Sequence, residues 1–415
     1  MPIRIITTHL EFEGEVSEQR VVMEGEEPPV WGPDAELGVV GKPTPRVDGP
    51  ERASGAAQYA YDMQLPGMLT AIGLRSPHAH ARVVAVDAAR AETLPGVRAV
   101  FHRFNTGDLL HPANDAPLFA EEIVEQGGLV ALIIAESREL AEDARAAIAV
   151  QYEPLPAVSD PEAALVPGAV RVNTAREDNS LSEEYPRTYQ RGDVERGLAE
   201  ADATVEVRFE TPTAVHNSLE THGGVAQWDG RTLTIWSSTQ DLFGARRSVA
   251  KLLGLQQNQV RAIKQYMGGG FGSKFGAHVS GLLAAYAAKT LGQPVKYMLS
   301  RESENLVAGN RPPSIQTYRL GAKRDGTLTA IDLRTIENAG ANGTWMCPVA
   351  LPAKELYECA NVRTVDQPIR TNLGTFSAFR APGVVEGIAG LEVAVDRLAA
   401  AIGMDPLAFR LKNYA

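Results

Sequence analysis

Residues 265–274, of sequence QYMGGGFGSK, place three consecutive glycines between a predicted strand and a predicted helix. The strand is predicted over residues 260–264 and the alanine-rich helix over residues 276–291. Glycines allow a tight turn and bring backbone N–H groups close to a ligand, and the helix N-terminus that follows suits an anion. A simple turn would also explain the glycines. The spacing does not match a Walker phosphate-binding loop.

Strand and helix patterns alternate along the rest of the chain. The continuous apolar run 129–135 predicts a buried strand, and Ser137 is a suitable N-cap for a helix ending at Ile148. A long apolar helix, closed by Gly403, is predicted over residues 384–402. Further strands are predicted at 69–74, 82–87, 150–153, 204–210, 232–236, 295–299 and 328–335, and further helices at 244–253 and from 405 onward. The predicted fold class is α+β, a mixed α/β architecture.

The length of 415 residues predicts two to three domains. Residues 1–36 are acidic and rich in proline near their end, which predicts a loosely ordered N-terminal arm with one strand in RIITT. Residues 37–155 form a first predicted domain. Residues 156–190 show no sustained period and predict a linker, and residues 191–415 form a second domain.

Composition excludes several classes of function. The net charge of −11 argues against a nucleic-acid partner and against an anionic membrane surface. The two cysteines, Cys347 and Cys359, are too few for an iron–sulfur cluster or a four-cysteine zinc site within the chain. Apolar runs stay below about 18 residues, and the N-terminus lacks a signal-peptide core, so a cytoplasmic protein is predicted.

Two further segments carry candidate site residues. Gln240 follows the strand 232–236 and offers a neutral amide that could orient a ligand or a metal-bound oxygen. Arg380 lies in the small-residue loop 374–383 with few acids nearby, which is typical of an anion or substrate contact. A strand-end cap and a surface salt bridge are the alternatives for these two residues.

The histidines do not predict a protein-ligated metal. Those at 78, 80, 216 and 222 form no recognisable set with cysteine or carboxylate ligands, and HExxH is absent from the sequence. The sequence also lacks a GxSxG nucleophile elbow.

A series of motifs, in order along the chain, resembles the molybdenum hydroxylase family of xanthine oxidase and aldehyde oxidase. The motifs are GKPTPRVDG (41–49), SGAAQY (54–59), RSPHAHAR (75–82), LETH (219–222), WSSTQ (236–240), GGGFGSK (268–274), TNL (371–373), AFR (378–380) and DPLAFRLKN (405–413). The resemblance implies that residues 37–155 are an a/b hammerhead domain. It implies that residues 191–415 are the first molybdopterin cofactor-binding domain.

The resemblance also implies the cofactor and its contacts. The cofactor would be molybdenum-molybdopterin, with the cytosine dinucleotide form as one open variant. The pterin dithiolene would hold the metal, so that side chains ligate none. Gln240 and Arg380 would be the catalytic residues, beside the apical oxo group and near the metal. The implied cofactor-binding residues are Gln240, Gly269, Gly270, Phe271, Gly272 and Arg380.

The family's reaction hydroxylates an electrophilic carbon with oxygen from water. Electrons would pass to iron–sulfur clusters on a partner subunit, with FAD expected on a further one. The family's second molybdopterin-binding domain carries a catalytic glutamate and lies beyond the end of this sequence, so a partner subunit would supply it. The chain would be either a naturally split subunit, as in some nicotinate dehydrogenases, or a fragment.

Two positions depart from the xanthine-specific pattern. Phe275 stands where those enzymes carry an acid, and Pro382 replaces the aromatic residue that stacks on a purine. The small-molecule substrate is therefore expected to be an aldehyde or an N-heteroaromatic compound. The alternatives are a non-catalytic scaffold or cofactor-assembly homologue, a xanthine dehydrogenase-type enzyme whose partner supplies purine contacts, and an unrelated phosphate-binding α/β protein.

Overall fold

The structure, a computed structural model, divides the chain into two compact units, residues 1–57 and residues 58–415. Each unit is described by itself. The residues that the structure describes are 3–12, 15–24, 31–181 and 187–415.

The first unit contains an antiparallel strand pair and a short helix, α1 (Gly49–Ser54). β1 (Ile3–Phe12) pairs with β2 (Glu15–Glu24), and Ile5 lies opposite Val22. The prediction of a single strand in RIITT was therefore incomplete, because it missed β2. Ile5 is 65% exposed and Val22 is 57% exposed. Because these side chains are not buried, the sequence here need not alternate apolar and polar residues, which is the pattern that predicts a strand.

The second unit contains the remaining strands and helices. The strands are β3 (Leu69–Arg75), β4 (Ala81–Asp87), β5 (Val97–His102), β6 (Glu122–Ile123), β7 (Leu129–Ala135), β8 (Ala149–Pro154), β9 (Arg187–Arg191), β10 (Ala203–Thr211), β11 (Gly223–Trp228), β12 (Leu233–Ser237), β13 (Val260–Ile263), β14 (Val295–Met298), β15 (Ser314–Ala322), β16 (Leu328–Asn338) and β17 (Val362–Ile369). The helices are α2 (Ala89–Glu92), α3 (Arg103–Thr106), α4 (Arg138–Ala146), α5 (Pro161–Leu165), α6 (Val194–Ala199), α7 (Leu242–Leu253), α8 (His278–Leu291), α9 (Arg301–Val307), α10 (Leu351–Glu355), α11 (Val384–Ala401) and α12 (Pro406–Asn413).

A seven-stranded mixed sheet has the order β13-β12-β11-β14-β3-β7-β5. At its centre β14 and β3 run parallel, with Val295 registered against Leu69. Helix α8 packs on β11 and β14 and is buried on several sides, and Leu282 and Ala284 are among its buried residues. This packing anchors the helix that follows the glycine-rich segment.

The seven-stranded sheet draws on both predicted domains. β3, β5 and β7 come from residues 37–155, and β11 to β14 come from residues 191–415. Within the predicted linker, Val158 and Val172 are buried in a small apolar cluster that also contains Ile369. The boundaries at 155 and 191 stay predictions, although strands on either side of them share one sheet.

A five-stranded sheet, in the order β10-β15-β16-β17-β9, carries helix α11 on one face. The helix approaches closely at Gly390, where an added Cβ would lie 2.5 Å from Oε1 of Gln316. This packing fixes the start of α11, and therefore the loop that contains Arg380. A third sheet, β6-β4-β8, completes the unit.

The structure confirms the predicted α+β class and most of the predicted elements. Ser137 caps α4 by accepting a hydrogen bond from the N–H of Leu140, and Asp405 caps α12 in the same way. Gly403 has the left-handed conformation, with φ of 69°, just beyond α11. Among the described residues, no helix combines the length and the apolar character needed to cross a membrane.

Candidate active site

The glycine-rich loop, residues 265–274, connects β13 to α8, as the sequence predicts. Its glycines are needed for contacts within the chain. A Cβ added to Gly270 would overlap the carboxamide oxygen of Gln240, and one added to Gly272 would lie 2.5 Å from the carbonyl oxygen of Ala378. The loop is thus packed tightly between the two other predicted site segments.

Gln240 lies just beyond β12, and its carboxamide is oriented by the glycine-rich loop. Its side-chain oxygen accepts hydrogen bonds from the N–H groups of Gly272, at 2.8 Å, and Lys274, at 3.4 Å. Because the oxygen faces two donors, the amide nitrogen points the other way. In the described part of the chain this nitrogen has no hydrogen-bond partner, so it is available to a ligand.

Arg380 lies in the loop before α11 and contacts the glycine-rich loop through its backbone. Its N–H donates to the carbonyl oxygen of Phe271 at 2.8 Å. Arg380 has φ of 23° and Ala381 has φ of 59°, both left-handed values that are uncommon for residues with a Cβ. The guanidinium of Arg380 is exposed and pairs with no described group.

An ion pair between Arg311 and the buried Glu386 supports the loop that contains Arg380. Arg311 donates to the carbonyl oxygens of Phe379, at 2.5 Å, and Arg380, at 2.8 Å. The other terminal nitrogen of Arg311 pairs with the buried Glu386 at 2.6 Å. The loop backbone is therefore fixed, while the side chain of Arg380 stays available.

Several hydrogen-bond donors lie in and around the loop. Among the described residues, the N–H groups of Gly269, Gly270 and Phe271 bond no acceptor. The amide nitrogen of Gln240 and the guanidinium of Arg380 add further donors. Such a set suits a ligand that is rich in oxygen and negatively charged.

The two predicted substrate-pocket residues differ in exposure. Phe275 directly follows the loop and is 61% exposed, whereas Pro382 is half-buried. Other large apolar side chains near the loop in sequence or by contact are also exposed: Leu219, Phe243 and Phe271. Phe275 itself therefore offers an exposed apolar ring at the end of the loop.

Behind the loop lies a buried polar network that the sequence did not identify. Lys274 is 1% exposed, and its ammonium donates to the carbonyl oxygen of Glu220 and to Oγ of Ser238. Burial lowers the pKa of Lys274 to about 8, while nearby carboxylates oppose this effect. LETH and GGGFGSK, two of the motifs found in the sequence, contain Glu220 and Lys274, but neither motif reveals that these residues meet.

A second buried pair lies beside this network. His222 and Glu304 are in contact, with Nδ1 of the imidazole 2.8 Å from Oε1 of the carboxylate. The other ring nitrogen lies 3.1 Å from the carbonyl oxygen of Ser273, in the loop. Burial acts to raise the pKa of Glu304, but the bonds from His222 outweigh it and hold the pKa below its usual value.

Two further histidines, His80 and His216, make contacts within the chain. His80 is buried, with its ring nitrogens against Glu122, at 2.9 Å, and the carbonyl oxygen of Pro156, at 2.6 Å. His216 contacts the carbonyl oxygen of Ala378 at 2.7 Å, and burial lowers its pKa. Across the described ranges, no cluster of three or more His, Cys, Asp or Glu residues could hold a metal ion.

Comparison with protein families assigns both parts of the second unit. Residues 54–156 match the model of the aldehyde oxidase and xanthine dehydrogenase a/b hammerhead domain. Residues 175–414 match the molybdopterin cofactor-binding domain. The chain belongs to the aldehyde oxidase and xanthine dehydrogenase family. The predicted resemblance is therefore confirmed, and the cofactor that the family's domain binds is molybdopterin.

Individual members of the aldehyde oxidase and xanthine dehydrogenase family cover nearly the whole chain. It is 33% identical to the molybdenum-binding subunit of an aldehyde oxidoreductase of Escherichia coli, over 94% of this chain and 52% of that protein. It is similar to the large molybdopterin subunit of nicotinate dehydrogenase of Eubacterium barkeri, at 31% identity over 90% of this chain and 89% of that one. The chain thus spans about half the length of the first relative.

Solved structures of the family agree with this fold. Quinoline 2-oxidoreductase of Pseudomonas putida 86 matches with a TM-score of 0.83 and 30% identity, over 89% of this chain and 49% of that chain. The architecture described above is therefore that of this family.

Proposed function

We propose that this chain is the first molybdopterin-binding half of a multi-subunit molybdenum hydroxylase, acting on an aldehyde or an N-heteroaromatic compound. The observation that carries the proposal is the set of unpaired donors around residues 265–274, inside a segment that matches the molybdopterin cofactor-binding domain. When bound, the molybdenum centre would accept two electrons as oxygen from water is inserted at an electrophilic carbon.

The donor set fits this cofactor. Oxo, pterin and phosphate oxygens are acceptors, and the loop contains N–H donors that bond no acceptor among the described residues. Gln240 would donate from its amide nitrogen to an oxygen on the metal, and Gly269, Gly270 and Phe271 would donate through their backbone N–H groups. Arg380 would supply positive charge next to the cofactor or the substrate.

The substrate proposal rests on Phe275 and Pro382. A purine has polar edges, and a buried polar edge without a partner costs about 1–3 kcal/mol. The side chain of Phe275 has no polar group to pair with a purine edge, and Pro382 has no aromatic ring to stack on a purine. An aldehyde or a pyridine-like ring has fewer polar groups that need hydrogen-bond partners. Such a substrate therefore suits Phe275 and Pro382 better than xanthine does.

The partner proposal has support from the relatives' lengths. The Escherichia coli protein continues well beyond the matched part, while the Eubacterium barkeri subunit is matched over most of its length. We infer that a second molybdopterin-binding subunit supplies the catalytic glutamate, and that iron–sulfur and FAD subunits carry the electrons away. A general base of this kind is typically worth about 10²–10⁴ in rate. The cytoplasmic location stays a prediction from the sequence.

Purification of the native complex tests the proposal. Its subunits are identified by mass spectrometry, molybdenum is measured by elemental analysis, and steady-state rates are compared for xanthine, several aldehydes and several pyridines. We expect kcat/KM to be lowest for xanthine. A complex without molybdenum would instead indicate a non-catalytic homologue. A kcat/KM for xanthine above that of every other compound would overturn the substrate assignment.

A further inference from the structure

The side chain of Lys274, the last residue of the glycine-rich loop, is buried inside the protein. It is 1% exposed, and its ammonium lies 2.6 Å from the carbonyl oxygen of Glu220 and 2.7 Å from Oγ of Ser238. A buried ammonium is costly unless its protons have acceptors. These two contacts therefore fix the position of the side chain at the base of the loop.

The same network also holds the first part of the loop. Ser238 donates to Oε2 of Glu220 at 2.8 Å, and the N–H of Gly268 donates to the same oxygen at 2.8 Å. The other carboxylate oxygen accepts from the N–H of Tyr61 at 3.1 Å. Gly268 and Lys274, at the two ends of the GGGFGSK motif, therefore both donate hydrogen bonds to Glu220.

The backbone of Lys274 in turn holds Gln240. The N–H of Gln240 donates to the carbonyl oxygen of Lys274 at 2.7 Å, and Oγ1 of Thr239 donates to the same oxygen at 3.1 Å. The N–H of Lys274 donates back to the side-chain oxygen of Gln240 at 3.4 Å. A displacement of Lys274 would therefore turn the carboxamide whose nitrogen faces outward.

We propose that Lys274 is a positioning residue, whose buried ammonium holds the glycine-rich loop so that the amide nitrogen of Gln240 faces the cofactor. The inference rests on the role proposed for Gln240. It assigns Lys274 no contact with substrate or cofactor, because its ammonium is buried against the carbonyl oxygen of Glu220 and Oγ of Ser238.

The charge of the ammonium gives the network a pH dependence. Burial lowers the pKa of Lys274 to about 8, the carboxylates of Glu220 and Glu304 oppose that shift, and the guanidinium of Arg301 adds to it. The imidazole of His222, paired with Glu304, is the other titratable group of this network. Deprotonation above about pH 8 would remove the positive charge that strengthens the hydrogen bonds to Glu220 and Ser238, and would loosen the loop.

The test is a double-mutant cycle in the complete complex, with Lys274→Met, Gln240→Ala and the double variant. We expect Lys274→Met to lower kcat about tenfold or more with little change in KM, and to abolish the decline of kcat above pH 8. In the Gln240→Ala background it should lower kcat less than about twofold further, because the lysine acts through the glutamine. Lys289→Met, on the following helix, is the matched control.

A second readout is independent of activity. In the full chain before cofactor loading, hydrogen exchange of the Gly272 and Lys274 amides should be faster in Lys274→Met than in the native chain. It should be unchanged in Lys289→Met. Should Lys274→Met fail to fold, Ser238→Ala removes one acceptor of the ammonium with less disturbance, and the same faster exchange is expected.

The outcomes separate the inference from the proposed function. Fully additive effects in the cycle, or unchanged exchange of the loop amides, would overturn the role of Lys274 while leaving that of Gln240 intact. A Gln240→Ala complex with native kcat would instead remove the proposed role of Gln240, and with it the basis of this inference.

Discussion

Gln240 shows how much of the site a single residue type can predict. WSSTQ, at the end of a strand, identified an amide that could orient a ligand. The sequence could not say which amide atom would be free. That is decided by the N–H groups of Gly272 and Lys274, which face the oxygen and leave the nitrogen for a ligand. The orientation of the Gln240 amide therefore depends on Gly272, which lies 32 residues further along the chain.

We predict that Gln240→Ala lowers kcat about 10²-fold, because a single well-placed donor is worth that much in a transition state. Bound molybdenum should fall only modestly, since the amide does not ligate the metal. Both quantities are measured on the purified complex. The control is Gln257→Ala, at an exposed position. Native kinetics in the Gln240 variant would contradict the assignment.

The buried charges were beyond prediction from residue types. Lys274 and Glu304 belong to residue classes that usually lie at the surface. Their burial depends on partners distant in sequence, such as His222, which is 82 residues from Glu304. The sequence also could not show the partners of His216 and His222, whose ring nitrogens lie against a carboxylate and backbone carbonyl oxygens.

At the scale of elements, the continuous apolar run 129–135 was predicted correctly, and several other strands were missed. β7 is buried almost throughout, and its continuous apolar sequence identified it. β15 and β17 were not found, because their buried faces carry polar residues, including Gln316 and Thr364. Period-2 alternation of hydrophobicity therefore does not appear in these two strands.

We predict that Gly272→Ala displaces the glycine-rich loop. Gly272 has φ of 113°, and an added Cβ would lie 2.5 Å from the carbonyl oxygen of Ala378. Gly254→Ala is the matched control, because it also has positive φ but nothing within 4 Å of the added carbon. The control should lose about 1–2 kcal/mol. Gly272→Ala should lose more in thermal unfolding and also lower molybdenum content; equal losses would contradict the close approach.

The start of α8 gives a pH-dependent stability. Burial, with a smaller contribution from His222, holds the pKa of His278 well below its usual value of 6.5. The unfolded chain therefore binds a proton more readily than the native one, so stability falls as pH drops below about 6.5. We predict that His278→Asn reduces this decline between pH 7.5 and 5. Asn tolerates the φ of 47° and can accept from Ser280.

The measurement for His278 is the melting temperature of the full chain at each pH. Other histidines with lowered pKa contribute to the decline in both proteins, so the difference between the two curves isolates His278. Parallel curves would show that this residue does not contribute.

At the scale of the whole molecule, the exclusions from composition and the order of motifs gave the family, which the comparisons confirmed. The sequence could not show that strands on both sides of the predicted linker would form one sheet. Strand pairing between β3 and β14 joins residues more than 220 positions apart, and such pairing leaves no local signal.

We predict that the isolated chain holds well below one molybdenum per molecule, because the proposed partner supplies the rest of the cofactor's binding surface. Co-expression with the partner should bring the ratio close to one. Elemental analysis of both preparations, with size-exclusion chromatography to establish the monomer, measures the difference. Stoichiometric molybdenum on the monomer alone would refute the dependence on a partner.

The junction between β3 and β14 is made of main-chain hydrogen bonds in the middle of a buried sheet. A protease that cut after Arg176, in an exposed stretch between the two strands, would leave this junction untouched. The two fragments would then migrate as one particle in native gels and separate only in denaturant. The two parts of the molecule are therefore held together by strand pairing, and an intact peptide chain between them is not needed for this.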